Sequence, residues 1–241
     1  MKAISFIVFI LTLFVMSGCA ANQKITYPLQ DVSPITGSQV NDADLVVKEF
    51  EDIRQPLARK GGWTSPAMIN RDNASWFYNS DDHYKGNRVA PWITEMIAKH
   101  LNTLGIFRSV KVNQAGEAVS DLYLEGKIKQ FEAFKKRSMA TVVGSQFGLI
   151  GMLATSGVKS EYEAATVLTQ VRLLRTATNE VLWEGEVEGR ISGKDYADTA
   201  GWSVYEKANL SLKKAVDELA KRLVKIPSLP EGQSAVIHTS D

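Results

Sequence analysis

This sequence is short of the residues that most often carry cross-links or chemistry. Cys19 is the single cysteine in 241 residues, which excludes an intrachain disulfide and any cysteine-based structural zinc site. Histidine occurs three times, at His83, His100 and His238. No G-x-S-x-G elbow, P-loop, H-E-x-x-H helix or dinucleotide fingerprint is present, and the glycines of "GSQFG" (144–148) flank their serine at the wrong spacing for a nucleophile elbow. Neither charge dominates, with 28 Lys and Arg against 27 Asp and Glu, so no global field gathers nucleic acid or acidic substrates. There is no internal repeat. These shortages set the expectation of a non-enzyme with no cofactor, no catalytic residue, no metal and no nucleic-acid partner.

The N-terminus accounts for the cysteine. Met1-Lys2 is a basic start, residues 3–16 are apolar, and small residues precede Cys19, in the order a signal peptide needs. The apolar run is shorter than the ~20 residues of a membrane span. "FVMSGC" (14–19) resembles the lipobox of bacterial lipoproteins, with Met16 where Leu is usual. The resemblance implies cleavage before Cys19, diacylglycerol on its sulfur and an acyl chain, such as palmitate, on the new amino terminus. Ala20 rather than Asp after the cysteine implies sorting to the outer membrane, with the mature chain on its periplasmic face.

The expected organisation is a signal peptide at 1–18, a polar lipid-anchored tether at 19–43, one folded domain at 44–226 and a flexible tail at 227–241. Two insertions interrupt the domain, at 55–87 and 138–158. "DLVVKEF" (44–50) reads as a first strand, and Asp52 and Arg54 just after it form a candidate ion pair at the sheet edge. Trp92, Ile93, Met96, Ile97, Leu101 and Leu104 recur at helical spacing until Gly105. Leu122, Leu124 and Ile128 mark one face of a strand. Two strands then flank the turn 177–180, with Val181, Trp183, Val187 and Ile191 on the inner face and Trp183 buried. Ala208, Leu212, Ala215, Leu219 and Leu223 form the stripe of a closing amphipathic helix. One-sided elements of this kind bury their faces only against each other. The predicted fold is a two-layer α+β sandwich, with a mainly antiparallel sheet of about four strands packed by two helices.

"LGIFRSVKV" (104–112), "VRLLRTATNEVLWEGEVEG" (171–189) and the closing helix together resemble a loose group of envelope lipoproteins. That group includes the ABC-transport auxiliary lipoproteins and the lipopolysaccharide-assembly lipoprotein. The resemblance implies a small α/β domain that supports an envelope transport or assembly complex by binding protein or lipid.

Residues 138–158 carry no charge. The strands on either side belong to one sheet, so a single span would separate them, and a helical hairpin would reach only ~15 Å per arm, half a bilayer core. The run does not span. At helical spacing Ala140, Gly144, Gly148, Gly151 and Thr155 share a narrow stripe, with Val142, Val143, Leu149, Ile150 and Leu153 mostly opposite. Three readings remain: an irregular loop folded over the domain, a close-contact surface for a protein partner or self-association, and a contact with lipid. Gly144, Phe147, Gly148, Leu149, Ile150 and Gly151 are the candidate contact residues. Trp63, Trp76, Phe77 and Tyr78 join them as loop aromatics suited to anchoring a partner, or to capping the sandwich. Two rival functions stay open. One is a small periplasmic enzyme or metal binder using the 76–84 loop, where Asp81, Asp82 and His83 cluster. The other is an oligomeric pore subunit. His100 is expected at a helix-end or surface contact.

Overall fold

Alternation of small apolar and acidic side chains shapes the first strand. In β1 (Asn41–Val47), Ala43, Leu45 and Val47 are buried, and Asp42 and Asp44 between them are not. A computed structural model describes residues 27–34, 41–55, 75–78, 89–113, 120–136, 144, 147–155, 157–196 and 202–226. The other strands are β2 (Glu51–Asp52), β3 (Ser75–Tyr78), β4 (Phe107–Val112), β5 (Leu122–Lys136), β6 (Lys159–Arg175) and β7 (Val181–Tyr196). Among the described residues, the longer helices are α1 (Val89–Leu104), α2 (Gly148–Thr155) and α3 (Trp202–Leu223).

One seven-stranded sheet runs in the order β4-β1-β5-β6-β7, and β2 and β3 pair with β5 on the edge it shares with β1. The α+β class agrees with the expectation, but the strand count exceeds the four foreseen. The differences have physical causes. β2 and β3 are too short to show a period, and their pairing comes from the length of β5, which extends well past the end of β1. β3 lies inside the expected 55–87 loop, as α2 lies inside the expected 138–158 loop. β4 is half-exposed at the sheet edge, so its apolar content is thin. β1 is parallel to both β4 and β5, whereas β5, β6 and β7 form a long antiparallel meander.

Bulges keep the long strands facing the core. Ile128 and Phe131 are three apart, an odd step that would put them on opposite faces of a regular strand, yet both are fully buried because the register shifts between Ile128 and Gln130. β6 repeats the device between Leu168 and Val171, where Gln170 takes a positive φ of 49°.

Helices α1 and α3 lie on one face of this sheet, α1 over β1 and β4 and α3 over β5, β6 and β7. The whole apolar stripe foreseen for each is buried. Gly105, at φ 69°, ends α1 in the left-handed conformation that L side chains resist. Thr94 donates to the Ala90 carbonyl and accepts from the Phe50 amide at 3.0 Å, joining α1 to the end of β1 without an unpaired buried hydroxyl. On β7, Val187 is fully buried, Trp183 and Ile191 are half-buried against the core, and Val181 at the turn is 46% exposed. The predicted inner face is therefore right in its centre and wrong at its end, because β7 runs past α3 towards the turn. On the opposite face Tyr123, Ala165, Val167 and Leu174 are also buried. Long polar chains cover them: the Lys48 Nζ sits 3.4 Å from the Tyr123 ring centre, and Glu125 pairs with Lys48 and Arg172.

The folded body also begins earlier than expected. Tyr27 and Val32, placed in the 19–43 tether by sequence, are buried in the main core, with a 3-10 turn at Leu29–Asp31 between them.

The tightest contact in the core is α3 on β7. A Cβ at Gly189 would collide with the Ser211 carbonyl oxygen and come within 2.5 Å of the Ala215 nitrogen. Beside it, the fully buried hydroxyls of Thr166 and Ser211 bond at 2.8 Å. Gly185, by contrast, faces only the Trp183 ring. Gly189→Ala should cost about 1–3 kcal/mol or more, since backbone must move, and Gly185→Ala should cost clearly less, because a side chain can yield. Urea midpoints of the two variants measure the difference.

Candidate functional site

The β5–β6 hairpin carries the neutral run at its tip. Lys136 pairs with Glu161 near the ends of the two strands, and α2 lies between them in sequence. Residues Gly148 to Thr155 ("GLIGMLAT") contain no charged side chain. Among the described residues, α2 makes at most glancing contact with any other element. Ile150 and Leu153 on it are 80% and 67% exposed, and Phe147 just before it is 72% exposed. Spacing of three puts Ile150 and Leu153 side by side on α2.

The glycines of the run act within the tip. Gly148 has a φ of 65°, which breaks the single helix that the small-residue stripe assumed. The chain turns there, so that Gly151 is buried against the Gly144 carbonyl, with which a Cβ would collide. That carbonyl also accepts from the Phe147 amide at 3.0 Å. Gly144 and Gly151 thus shape the tip, and Gly148 is exposed at its bend. Leu149 follows on α2. Leu153, which sequence analysis placed opposite the glycines without naming it a contact, forms a short ridge with Ile150.

The other candidates do not converge on a site. Trp76, Phe77 and Tyr78 lie on β3, opposite Phe134, Ala133 and Glu132 of β5. Cys19, Trp63, Asp81, Asp82, His83 and His238 lie outside the described residues. Asp52 and Arg54 do form the anticipated pair, at 2.6 Å. A shallow cleft of ≈ 270 Å³ opens on the helix-free face between Gln130, Glu132, Phe134, Glu163 and Arg190, and Arg190 there is paired with Glu188.

A second arrangement of polar groups was hidden from sequence reading. His100 is fully buried rather than at the surface, held between two partners distant in sequence. Its Nδ1 is 2.7 Å from the Tyr27 hydroxyl, and its Nε2 is 3.0 Å from Asp217 Oδ1, a contact whose angle falls short of a hydrogen bond. Burial, then the Asp217 charge, pushes the Tyr27 phenol far above its ordinary range, so it keeps its proton and donates it to Nδ1. The imidazole tautomer that satisfies both neighbours carries its proton on Nε2. Burial works to raise the Asp217 carboxyl, but His100 and Lys213 outweigh it and hold the carboxyl below its ordinary value. A relay of this kind resembles a catalytic one only on paper. The phenol is buried in the core, against Trp92 at 6.5 Å between ring centres. Its role is to latch the N-terminal segment onto α1 and α3. The available signal was position: His100 continues the Ile93, Met96, Ile97 face of α1.

At the opposite side of β1, Arg108 gathers three carboxylates, with Asp44 at 2.5 Å, Asp121 at 3.2 Å and Asp42 at 3.3 Å. Hydrogen bonds from Arg108 and then Ser109 bring the Asp44 carboxyl down to about 2. The cluster is exposed and stays net negative, with one arginine against three carboxylates, and the bonds from Arg108 and Ser109 to Asp44 pin β1 to β4.

No protein-family model matches the chain, and no curated protein matches it. Its fold is similar to that of several solved structures at low identity. A Xanthomonas campestris protein matched by the DUF330 family model has a TM-score of 0.40 at 12% identity, covering 80% of this chain and 88% of that one. The PelC dodecamer of Paraburkholderia phytofirmans gives 0.35 at 10%, covering 74% and 89%. A Caulobacter crescentus protein described as a lipoprotein gives 0.30 at 11%, covering 56% and 80%. Scores this low carry no argument about what this chain does.

Two outcomes test the latch and the cluster. Tyr27→Phe leaves the His100 Nδ1 without its donor and should cost about 1–3 kcal/mol, with faster amide exchange across 29–32 than in β5. Asp44, whose folded pKa is lowered, contributes stability that is complete above its unfolded value and lost as pH falls towards 2. Arg108→Ala should therefore flatten the fall in stability between pH 4 and 2, by a small amount because the pair is exposed; acid titration of the unfolding midpoint measures the slope.

Proposed function

We propose that this chain is a non-enzymatic bacterial envelope lipoprotein, anchored by lipid on Cys19 at the periplasmic face of the outer membrane. In this reading it supports an envelope transport or assembly complex by holding a protein partner or lipid at the tip of its β5–β6 hairpin. The observation that carries the reading is the exposure of three large apolar side chains, Phe147 beside α2 and Ile150 and Leu153 on it, at the far end of a hairpin whose base is packed into the core. Water-exposed apolar side chains in a row are costly unless something else covers them. The protein has invested its polar pairing elsewhere, in the latch and in the charged face of the sheet, and it leaves this one place bare of charge.

Two further features support the anchor. The lipobox-like stretch ends at Cys19, and among the described residues no helix is long and apolar enough to cross a membrane. The fold then attaches the lipid closely. Tyr27 is docked eight positions after Cys19, so an extended link spans only about 27 Å, far less than a free tether of 19–43 would allow.

Two measurements decide the matter. Intact mass of the membrane-extracted protein should show loss of Met1 to Gly18 and gain of acyl mass on Cys19, and Cys19→Ala should accumulate as precursor in the inner membrane. A mature chain still beginning at Met1 would end the lipoprotein reading. Ile150→Asp should leave the unfolding midpoint within ~0.5 kcal/mol while removing whatever crosslinks to the tip in intact envelopes; undiminished crosslinking would reject the tip as the working surface. Gly148 is unsuitable for this test, because its positive φ strains any replacement.

A further inference from the structure

We propose that the hairpin tip inserts into an anionic phospholipid surface, the same bilayer that holds the lipid on Cys19; this rests on the lipoprotein reading above and names the tip's occupant. A helix that seats in a protein groove usually keeps a polar face towards water. α2 has none: its sequence is glycine, apolar residues and one terminal threonine. Such a helix is at home where no face needs water. Eight residues give a length of about 12 Å, too short to cross a core of ~30 Å and of a size to enter one leaflet.

The charges around the tip fit a negative surface. Lys135 and Lys136 end β5, Arg137 follows in sequence, and Lys159 begins β6, so the hairpin brings cationic residues to both sides of the neutral run. No Asp or Glu occurs from 133 to 160. Of the acids beside the hairpin's end, Glu161, directly opposite Lys136, is paired with Lys194 at 3.6 Å, and Asp195, opposite Ser160 on β7, is paired with Lys207 at 3.2 Å. Basic residues bordering an apolar insertion are attracted to anionic headgroups while the apolar part enters the acyl region.

The anchor and the tip can reach one membrane. The Tyr27 and Trp92 rings are 6.5 Å apart, and Trp92 and Phe131 are 6.1 Å apart. From Phe131 the strand continues to its end at Lys136, about 17 Å further on. With the Tyr27 and Phe131 side chains included, the docked start of the chain lies within roughly 40 Å of the end of β5, and the link from Cys19 can cover most of that distance. A bilayer holding the lipid lies within range of the tip, and two attachments would fix the orientation of the domain, where one would leave it swinging.

The test uses the full, acylated chain with Ile150→Cys and an environment-sensitive thiol dye, since acylation blocks the Cys19 sulfur. Reconstituted in vesicles of phosphatidylethanolamine and phosphatidylglycerol, the dye should shift to the blue. Brominated lipid should quench it roughly threefold or more beyond the same dye on Val181→Cys at the distant β6–β7 turn. Adding Leu153→Asp should reduce that quenching. Absent quenching at 150, or equal quenching at 150 and 181, overturns the proposal. So does a dye that stays unquenched in vesicles and shifts only when envelope proteins are added, which identifies a protein occupant. Failure of the anchor is separately visible, because intact mass then shows no acyl group. In that case the full chain with Cys19→Ser and Ile150→Cys is mixed with the same vesicles, and the same quenching comparison decides the tip.

Discussion

The structure depends on one close approach, helix α3 lying on strand β7 where Gly189 has no side chain to hold it off. Ala208, Ser211 and Ala215 keep the helix surface low at the crossing, and the Thr166–Ser211 bond satisfies the two hydroxyls buried beside it. Seated this deep, α3 brings Asp217 to His100 on α1. His100 in turn receives the Tyr27 hydroxyl, and Tyr27 sets where the chain leaves the body. A contact between a strand and a helix thus decides the length of the link to Cys19, through three side chains drawn from three distant parts of the sequence.

The polar groups divide into two kinds by burial. Thr94, Thr166, Ser211 and His100 lie in the core, and each has a defined partner or neighbour, as the cost of an unpaired buried group demands. The ion pairs of the helix-free face and of the Arg108 cluster are exposed and individually weak. Their main service is to cover Tyr123, Val167 and Leu174 with long side-chain stems and to keep the exposed sheet edges charged, which discourages pairing with other chains. Against that background the bare ridge of α2 stands out as a different kind of surface.

The long meander explains why the ridge lies where it does. β5 and β6 extend beyond α1 and α3, and bulges preserve their inward faces along the way. Beyond the helices, β3 adds a strand to β5, and α2 between β5 and β6 makes at most glancing contact with the other described elements. An apolar segment at that distance cannot pack on the sheet it grew from. It has to bend on itself, as Gly144 and Gly151 allow, and it presents what remains outward.

The sequence by itself determined the class of the fold and most of its core. Strong periodicities at 92–104, 122–128 and 208–223 each survive intact, because burial on one side leaves a repeat that any reader can count. It also determined that the neutral run does not cross a membrane, from topology and length alone. Several features were legible only after folding. Short strands such as β2 and β3 exist because β5 offers them unpaired backbone, a condition no local pattern records. His100 looked like a surface residue because its partners lie 73 and 117 positions away. The glycines looked like one stripe because helical spacing was assumed across Gly148, whose positive φ ends that assumption. Tertiary structure decided these points because each depends on which distant backbone or side chain arrives next to the residue, and a periodic pattern carries only which side of its own element faces inward.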